Sequence, residues 1–166
     1  MNYFYELSIK CTINEKLCDF ATHYERWQVK SAFDYIEIPN NLIHMDQTIK
    51  YFVNEFDAEP LILRMLPNTF YRFHIDTSRT CAVNMLISGS DSNCYFGRIS
   101  ESEEIIKNVT ELKYSPNQYY LFNTKEKHAV LNKNNFRYLL SLGIYKLDYE
   151  TVYNKYKKDH CYDYGL

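Results

Sequence analysis

Residues 69–76 read TFYRFHID, a strand-like alternation that closes on a histidine and an aspartate two positions apart. On an extended chain residues i and i+2 point to the same side, so His74 and Asp76 share a face and Ile75 points away. A single short strand thus offers two metal-ligating side chains together.

The sequence downstream of Pro60 supports a β reading. Short runs rich in β-branched and aromatic residues recur at 61–66, 69–75, 81–87, 94–99, 110–114, 118–122, 128–131 and 136–145, separated by clusters such as Pro67-Asn68 and Ser115-Pro116-Asn117. Many short strands at regular spacing argue for an antiparallel sandwich or barrel. Upstream the period changes. From Asn14, apolar residues recur at Leu17, Phe20, Ala21, Tyr24 and Trp27. After Pro39, with Asn40 or Asn41 as cap, they recur at Leu42, Met45, Ile49, Phe52, Val53 and Phe56. This is the three-four spacing of a helix face. The expected organisation is one domain over 1–166: a mainly helical buttress at 1–59, a β core at 60–145, and a terminal helix or tail at 146–166.

Bulk properties narrow the class. A chain of 166 residues with 46% hydrophobic and 24% charged residues buries one globular core. The net charge of −2 provides no field that would draw the protein onto nucleic acid or anionic lipid. No apolar run reaches the ~18 residues of a membrane span. The five cysteines form no C-x-x-C pair, which speaks against a thiolate zinc site or a disulfide framework. A reducing, cytoplasmic setting is expected. Phosphate loops, dinucleotide fingerprints, H-E-x-x-H and G-x-S-x-G are all missing from the sequence.

Alone, H-x-D or H-x-E is a weak signal. Five His and 21 acidic residues give roughly 0.6 chance matches from composition. The chain has three: His23/Glu25, His44/Asp46 and His74/Asp76. Residues i and i+2 on a helix stand ~200° apart and cannot chelate one ion. The first two pairs fall in predicted helices and are set aside; the strand pair remains. Two imidazoles and one carboxylate on one face are the donor set of non-haem Fe(II) oxygenases. The second imidazole is expected from His128, which opens the run HAVLN with 51 residues between it and Asp76. His160 lies in the charged segment KKDH, where a solvated side chain is expected. Nine positions after His128 comes Arg137, in the apolar run FRYLLSLGIY. A guanidinium entering a dry strand needs an anionic partner, and a co-substrate carboxylate would supply one.

The segments RFHIDTSRTCAVNMLISG and KHAVLNKNNFRYLLSLGI resemble the Fe(II)- and 2-oxoglutarate-dependent oxygenase superfamily, in which H-x-D is followed by a distant His and then by Arg. They most resemble its aspartyl/asparaginyl β-hydroxylase-like branch. The resemblance covers about half the chain. It implies a double-stranded β-helix, the cupin-type jelly roll, with Fe(II) on His74, Asp76 and His128 and 2-oxoglutarate on Arg137. It further implies hydroxylation of a C–H on a protein side chain, peptide or amino acid. Many relatives carry Ser two positions after the Arg to help bind 2-oxoglutarate; here Leu139 stands there, and Asn84, Tyr71 and Arg79 are the candidate replacements. Two other readings stay open. One is a cupin-fold isomerase or binding module without 2-oxoglutarate chemistry. The other is a nucleobase-oxidising or nucleic-acid-binding protein, suggested by Tyr153, Lys155, Tyr156, Lys157 and Lys158.

Overall fold

The computed structural model describes residues 3–30, 33–99 and 106–160. Among these described residues, eleven strands form two antiparallel sheets. The larger has the order β1 (Phe4–Lys10), β9 (Gln118–Phe122), β6 (Cys81–Ser88), β11 (Arg137–Ile144), β4 (Glu59–Met65), β3 (Phe33–Glu37), β2 (Gln28–Lys30). The smaller has the order β5 (Thr69–His74), β10 (His128–Asn132), β7 (Asn93–Ile99), β8 (Ile106–Leu112). The architecture is a jelly roll, mainly β with helices: the strand pattern predicts its antiparallel sandwich, and the family resemblance implies its jelly-roll form.

The period-two alternation of the central strands explains how the layers assemble. In β11, Tyr138, Leu140, Leu142 and Ile144 join the core beneath the helices. Cys81, Val83, Met85 and Ile87 of β6 join the same core, as do Tyr119 and Leu121 of β9. The alternate residues Met65, Tyr120 and Phe122 pack with Cys94, Phe96 and Val130 of the smaller sheet in a second core. The large sheet is therefore covered on both faces, and all eight residues of β11 are buried. Its second face also carries Arg137, Leu139 and Ser141, and β6 adds Asn84. Polar groups on this inner face need partners or a ligand.

The first third departs from a helical buttress. It contributes β1 at one edge of the large sheet and β3 and β2 at the other, besides its helices. FYELSIK and FDYIE alternate over too few residues to stand out beside the helical stripes. Helix α1 (Asn14–His23) ends where Tyr24 turns extended, and its N-cap residue is Ile13, with Asn14 the first helical position. The expected second helix divides into α2 (Asn40–Ile43) and α3 (Gln47–Phe56). Buried Asp46 causes the division. Its carboxylate accepts from the N–H groups of Thr48 (2.9 Å), Ile49 (3.1 Å) and Thr12 (3.0 Å), capping a new helix. The apolar stripe Ile49, Phe52 and Phe56 of α3 is buried, each side chain stabilising the fold by about 1.5–3 kcal/mol.

Helix α4 (Tyr149–His160) follows β11, and Cys161 and the rest of the expected tail lie outside the described residues. Tyr156 is buried and stacks on Phe52, while Lys155 pairs with Glu55 and Asp159. This arrangement removes a ring and a cation from the proposed base-stacking surface. His160 is half-buried, its ring packed on Tyr51 at 4.4 Å. Cys11, Cys18, Cys81 and Cys94 are free thiols. Among the described residues no helix is long and apolar enough to cross a membrane.

Candidate metal centre

Strand pairing brings the two distant histidines together. β5 and β10 run antiparallel with His128 directly opposite His74, a register that sets opposing Cβ atoms about 5 Å apart. Their rings lie 4.2 Å apart, centroid to centroid. Asp76 stands two residues beyond His74, past the end of the strand. Its backbone N–H donates to the Thr124 carbonyl (3.0 Å), and the Lys125 ammonium donates to its carbonyl (2.9 Å). Residues 124–125, just ahead of β10, thereby hold Asp76 on the side where both imidazoles face.

The tautomers follow from the backbone. His74 Nδ1 lies 2.8 Å from the Arg72 carbonyl, and His128 Nδ1 lies 2.9 Å from the Glu126 carbonyl. A carbonyl only accepts, so both Nδ1 atoms carry the proton and both Nε2 atoms present a lone pair. His74 Nε2 is 3.5 Å and His128 Nε2 4.0 Å from Asp76 Oδ1. One ligand atom from each of the three residues lies within 4.8 Å of the others, a group that could hold a metal ion. Bonds of ~2.1 Å at right angles would separate such atoms by about 3 Å, within reach of small side-chain rotations.

The electrostatics suit a cation. Burial alone would push the Asp76 carboxyl up, but its polar contact with the His74 side chain and the adjacent Arg79 guanidinium outweigh it and hold the group down at about 2. Burial, helped by neighbouring His74 and Arg79, pushes the His128 imidazole down from 6.5 to about 4. Between those values the unfolded chain takes up a proton that the folded chain refuses. Stability linked to His128 is thus fully present above pH 6.5 and declines as pH falls toward 4. Denaturant unfolding of the metal-free protein should show that decline, and His128→Phe should remove most of it. An equal slope in the variant would mean that His128 is not the group responsible.

A cleft of about 530 Å³, its mouth included, runs inward between the sheets from this centre. His74 and His128 line it together with Tyr71, Arg79, Asn84 and Arg137. Its walls are otherwise largely apolar, among them Leu63, Met65, Phe122 and Leu139. Arg137 is 3% exposed. Its Nε donates to Ser92 Oγ (3.0 Å) and an Nη donates to the Tyr114 hydroxyl (3.3 Å). Among the described residues no carboxylate lies within ion-pair distance of it. Asn84 is equally buried, and its Oδ1 has no hydrogen-bond partner. A second, wider groove adjoins the cleft, lined by Lys30, Tyr35, Glu59, Asp76, Ser78 and Tyr145 among others.

With this geometry, solved structures of similar shape can be compared. A Pseudomonas putida prolyl-4-hydroxylase superposes with a TM-score of 0.64 at 10% identity, over 89% of this chain and 94% of that one. A Trichoplax adhaerens prolyl hydroxylase, solved with a hypoxia-inducible-factor peptide fragment, gives 0.61 at 12% identity over 96% and 88%. HygX from Streptomyces hygroscopicus, solved with nickel and 2-oxoglutarate, gives 0.59 at 9% over 86% and 82%. The fold is theirs. No protein-family model matches the sequence, and no curated protein does.

The structure brings together all seven residues singled out in the sequence, with one change of surroundings. Arg79 does not stand free as a donor: its Nε pairs with Asp76 Oδ2 and an Nη donates to Ser141 Oγ (2.9 Å). Tyr71 packs its ring on His74 at 3.9 Å. The rejected pairs fail for reasons other than helix geometry. His23 ends α1, leaving Glu25 beyond the helix, and Asp46 is spent on capping α3. Sequence reading missed Ser92 and Tyr114. Ser92 lies between the predicted strands at 81–87 and 94–99, and Tyr114 sits beyond the end of β8; neither carries a local signal of its partner Arg137.

Proposed function

We propose that this chain is a single-domain Fe(II)- and 2-oxoglutarate-dependent oxygenase that hydroxylates a C–H of a protein side chain, peptide or free amino acid. One observation carries the reading. A single cleft joins a two-histidine, one-carboxylate cluster to a buried guanidinium that has no carboxylate partner among the described residues.

The donor set fits a ferrous ion. His74 and His128 offer Nε2 because backbone carbonyls hold their Nδ1 protons. Asp76 offers Oδ1 because Arg79 engages Oδ2. Oriented neutral imidazoles and a deprotonated carboxylate favour an intermediate divalent metal. Iron, when bound with 2-oxoglutarate and dioxygen, would supply the oxidation that converts a C–H to an alcohol, with succinate and carbon dioxide as co-products.

The protein's own residues do the positioning. Arg137 and Ser141 lie four residues apart on one face of β11, roughly 13 Å along the strand. Ser141 stands at the metal end, through its bond to Arg79, and Arg137 stands at the other. Arg137 binds the far carboxylate of 2-oxoglutarate, which ends the isolation of its charge. Asn84, opposite Ser141 in the sheet, presents a carboxamide whose oxygen has no partner, near the metal end of the molecule so bound. The apolar walls exclude water and strengthen these contacts. Substrate enters through the wider groove, which reaches His74, Asp76 and Arg79.

The placement nearest the aspartyl/asparaginyl β-hydroxylase-like branch rests on the order R-x-H then H…R in the sequence. A polypeptide or amino-acid substrate is favoured over nucleic acid by the net charge of −2 and the buried Tyr156. The free thiols are in keeping with a reducing cytoplasmic setting. Anaerobic addition of Fe(II) and 2-oxoglutarate should produce a weak visible charge-transfer band, and succinate should form when a substrate and air are added. Metal uptake without any effect of 2-oxoglutarate on the spectrum or the melting temperature would point to a cupin without this co-substrate. No metal uptake at all would end the enzyme reading.

A further inference from the structure

Strand β4 presents Glu59, Leu61 and Leu63 to the wider groove, because alternate residues of a strand share a face. Leu63 also lines the inner cleft. The three side chains therefore form a track that starts at exposed Glu59 and runs past the metal centre into the cleft. Sheet register locates it. Leu61 lies opposite Ser141, whose hydroxyl accepts from Arg79 beside Asp76. Glu59 lies opposite Gly143, two residues or about 7 Å further out along the strand. A carboxylate thus stands one step beyond the metal centre, at the end of an apolar floor that Phe33 and Tyr35 of β3 widen.

Glu59 is oriented but keeps its charge free. The Tyr145 hydroxyl donates to its Oε2. Gly143 permits that reach, since a Cβ there would stand 3.2 Å from the Tyr145 hydroxyl. Burial, and then the Glu59 carboxylate, push the Tyr145 phenol up to about 12, so it stays a donor. Neighbouring cations are engaged elsewhere: Arg79 pairs with Asp76, and Lys146 with Asp57 at 2.6 Å. Among the described residues no Lys or Arg pairs with Glu59. Lys30 is the groove's other charge without an ion partner among them. It stands on the outermost strand β2, with β3 between it and β4. A carboxylate at the end of an apolar track complements a methylene stem with a cationic head. The stem is buried on the track and the head is paired.

We infer that the substrate carries a basic side chain, lysine-like or arginine-like, whose stem lies on Leu61 and Leu63 and whose cation binds Glu59. This rests on the oxygenase reading and narrows its substrate from any peptide or amino acid to a cationic one.

The test is an anaerobic titration of the protein loaded with Fe(II) and 2-oxoglutarate, read as a shift of the charge-transfer band. The probes are the N-acetyl methylamides of lysine, arginine, norleucine and glutamate. Norleucine matches the lysine stem without its charge. The lysine and arginine probes should bind at least about 10-fold more tightly than norleucine, the value of a hydrogen bond to a charged group. Glu59→Gln should bring the lysine probe down to the norleucine level, while Fe(II) and 2-oxoglutarate titrate as in wild type. Glu59→Lys should turn the preference toward the glutamate probe. Equal binding of lysine and norleucine by wild type would overturn the inference, as would a lysine preference that survives in Glu59→Gln. Preference of the wild type for glutamate would assign the groove to Lys30 and overturn it too. A band that forms normally but ignores every probe would overturn this inference alone. No band before any probe is added would overturn the oxygenase reading and this inference with it.

Discussion

Arg137→Gln should raise the dissociation constant for 2-oxoglutarate by at least about 30-fold while leaving Fe(II) affinity close to wild type. The size follows from the surroundings. The guanidinium is 3% exposed and lies at the end of a largely apolar cleft. Removing one partner of a buried hydrogen-bonded charge pair costs about 2–5 kcal/mol. Arg137→Lys should rescue little, because one ammonium cannot bond Ser92, Tyr114 and a carboxylate with the geometry of the planar fork. In the absence of ligand, Arg137→Gln should not be strongly destabilised, since no carboxylate among the described residues loses its partner. A titration of the metal-loaded variant checks the first point and thermal melting the last. Unchanged 2-oxoglutarate affinity would remove Arg137 from the site.

The second large effect belongs to Asp76. Asp76→Asn should lower affinity for Fe(II), or for Co(II) as a redox-stable substitute, by at least about 100-fold, equivalent to ~2.7 kcal/mol. Two losses combine. The carboxylate leaves the donor set, and the Arg79 charge it offset remains beside the site. Calorimetric titration measures the affinity directly. His23→Ala and His44→Ala serve as controls from the two rejected pairs and should bind metal like wild type. If Asp76→Asn binds as tightly as the parent, or if either control loses the metal, the ion sits elsewhere.

Much of the fold was legible because its central strands repeat with period two and its helices carry clean apolar stripes. The run TFYRFHID gave its strand within one residue, but that strand ends at His74, and Asp76 is held beside it by Thr124 and Lys125 rather than by strand geometry. The buried guanidinium of Arg137 was foreseeable from the apolar residues on either side of it. What escaped was set by tertiary context. FYELSIK became one edge of the large sheet by pairing with β9, and FDYIE joined the far side of the sheet between β4 and the edge strand β2. The break between α2 and α3 depended on Asp46 finding Thr12, 34 residues away, as a further partner. Tyr114 and Ser92 matter only through their distance to Arg137, and no local pattern encodes that distance. Arg79 was identified as a residue of the site, but its ties to Asp76 and Ser141 needed coordinates.

Crystals grown without oxygen in Fe(II) and 2-oxoglutarate, with diffraction recorded at the iron edge, would be decisive. One anomalous peak is expected about 2.0–2.2 Å from Nε2 of His74, Nε2 of His128 and a carboxylate oxygen of Asp76, with the organic density ending against the Arg137 guanidinium. A peak bound by other side chains, or no peak in crystals of protein that has taken up stoichiometric iron, would contradict the assignment.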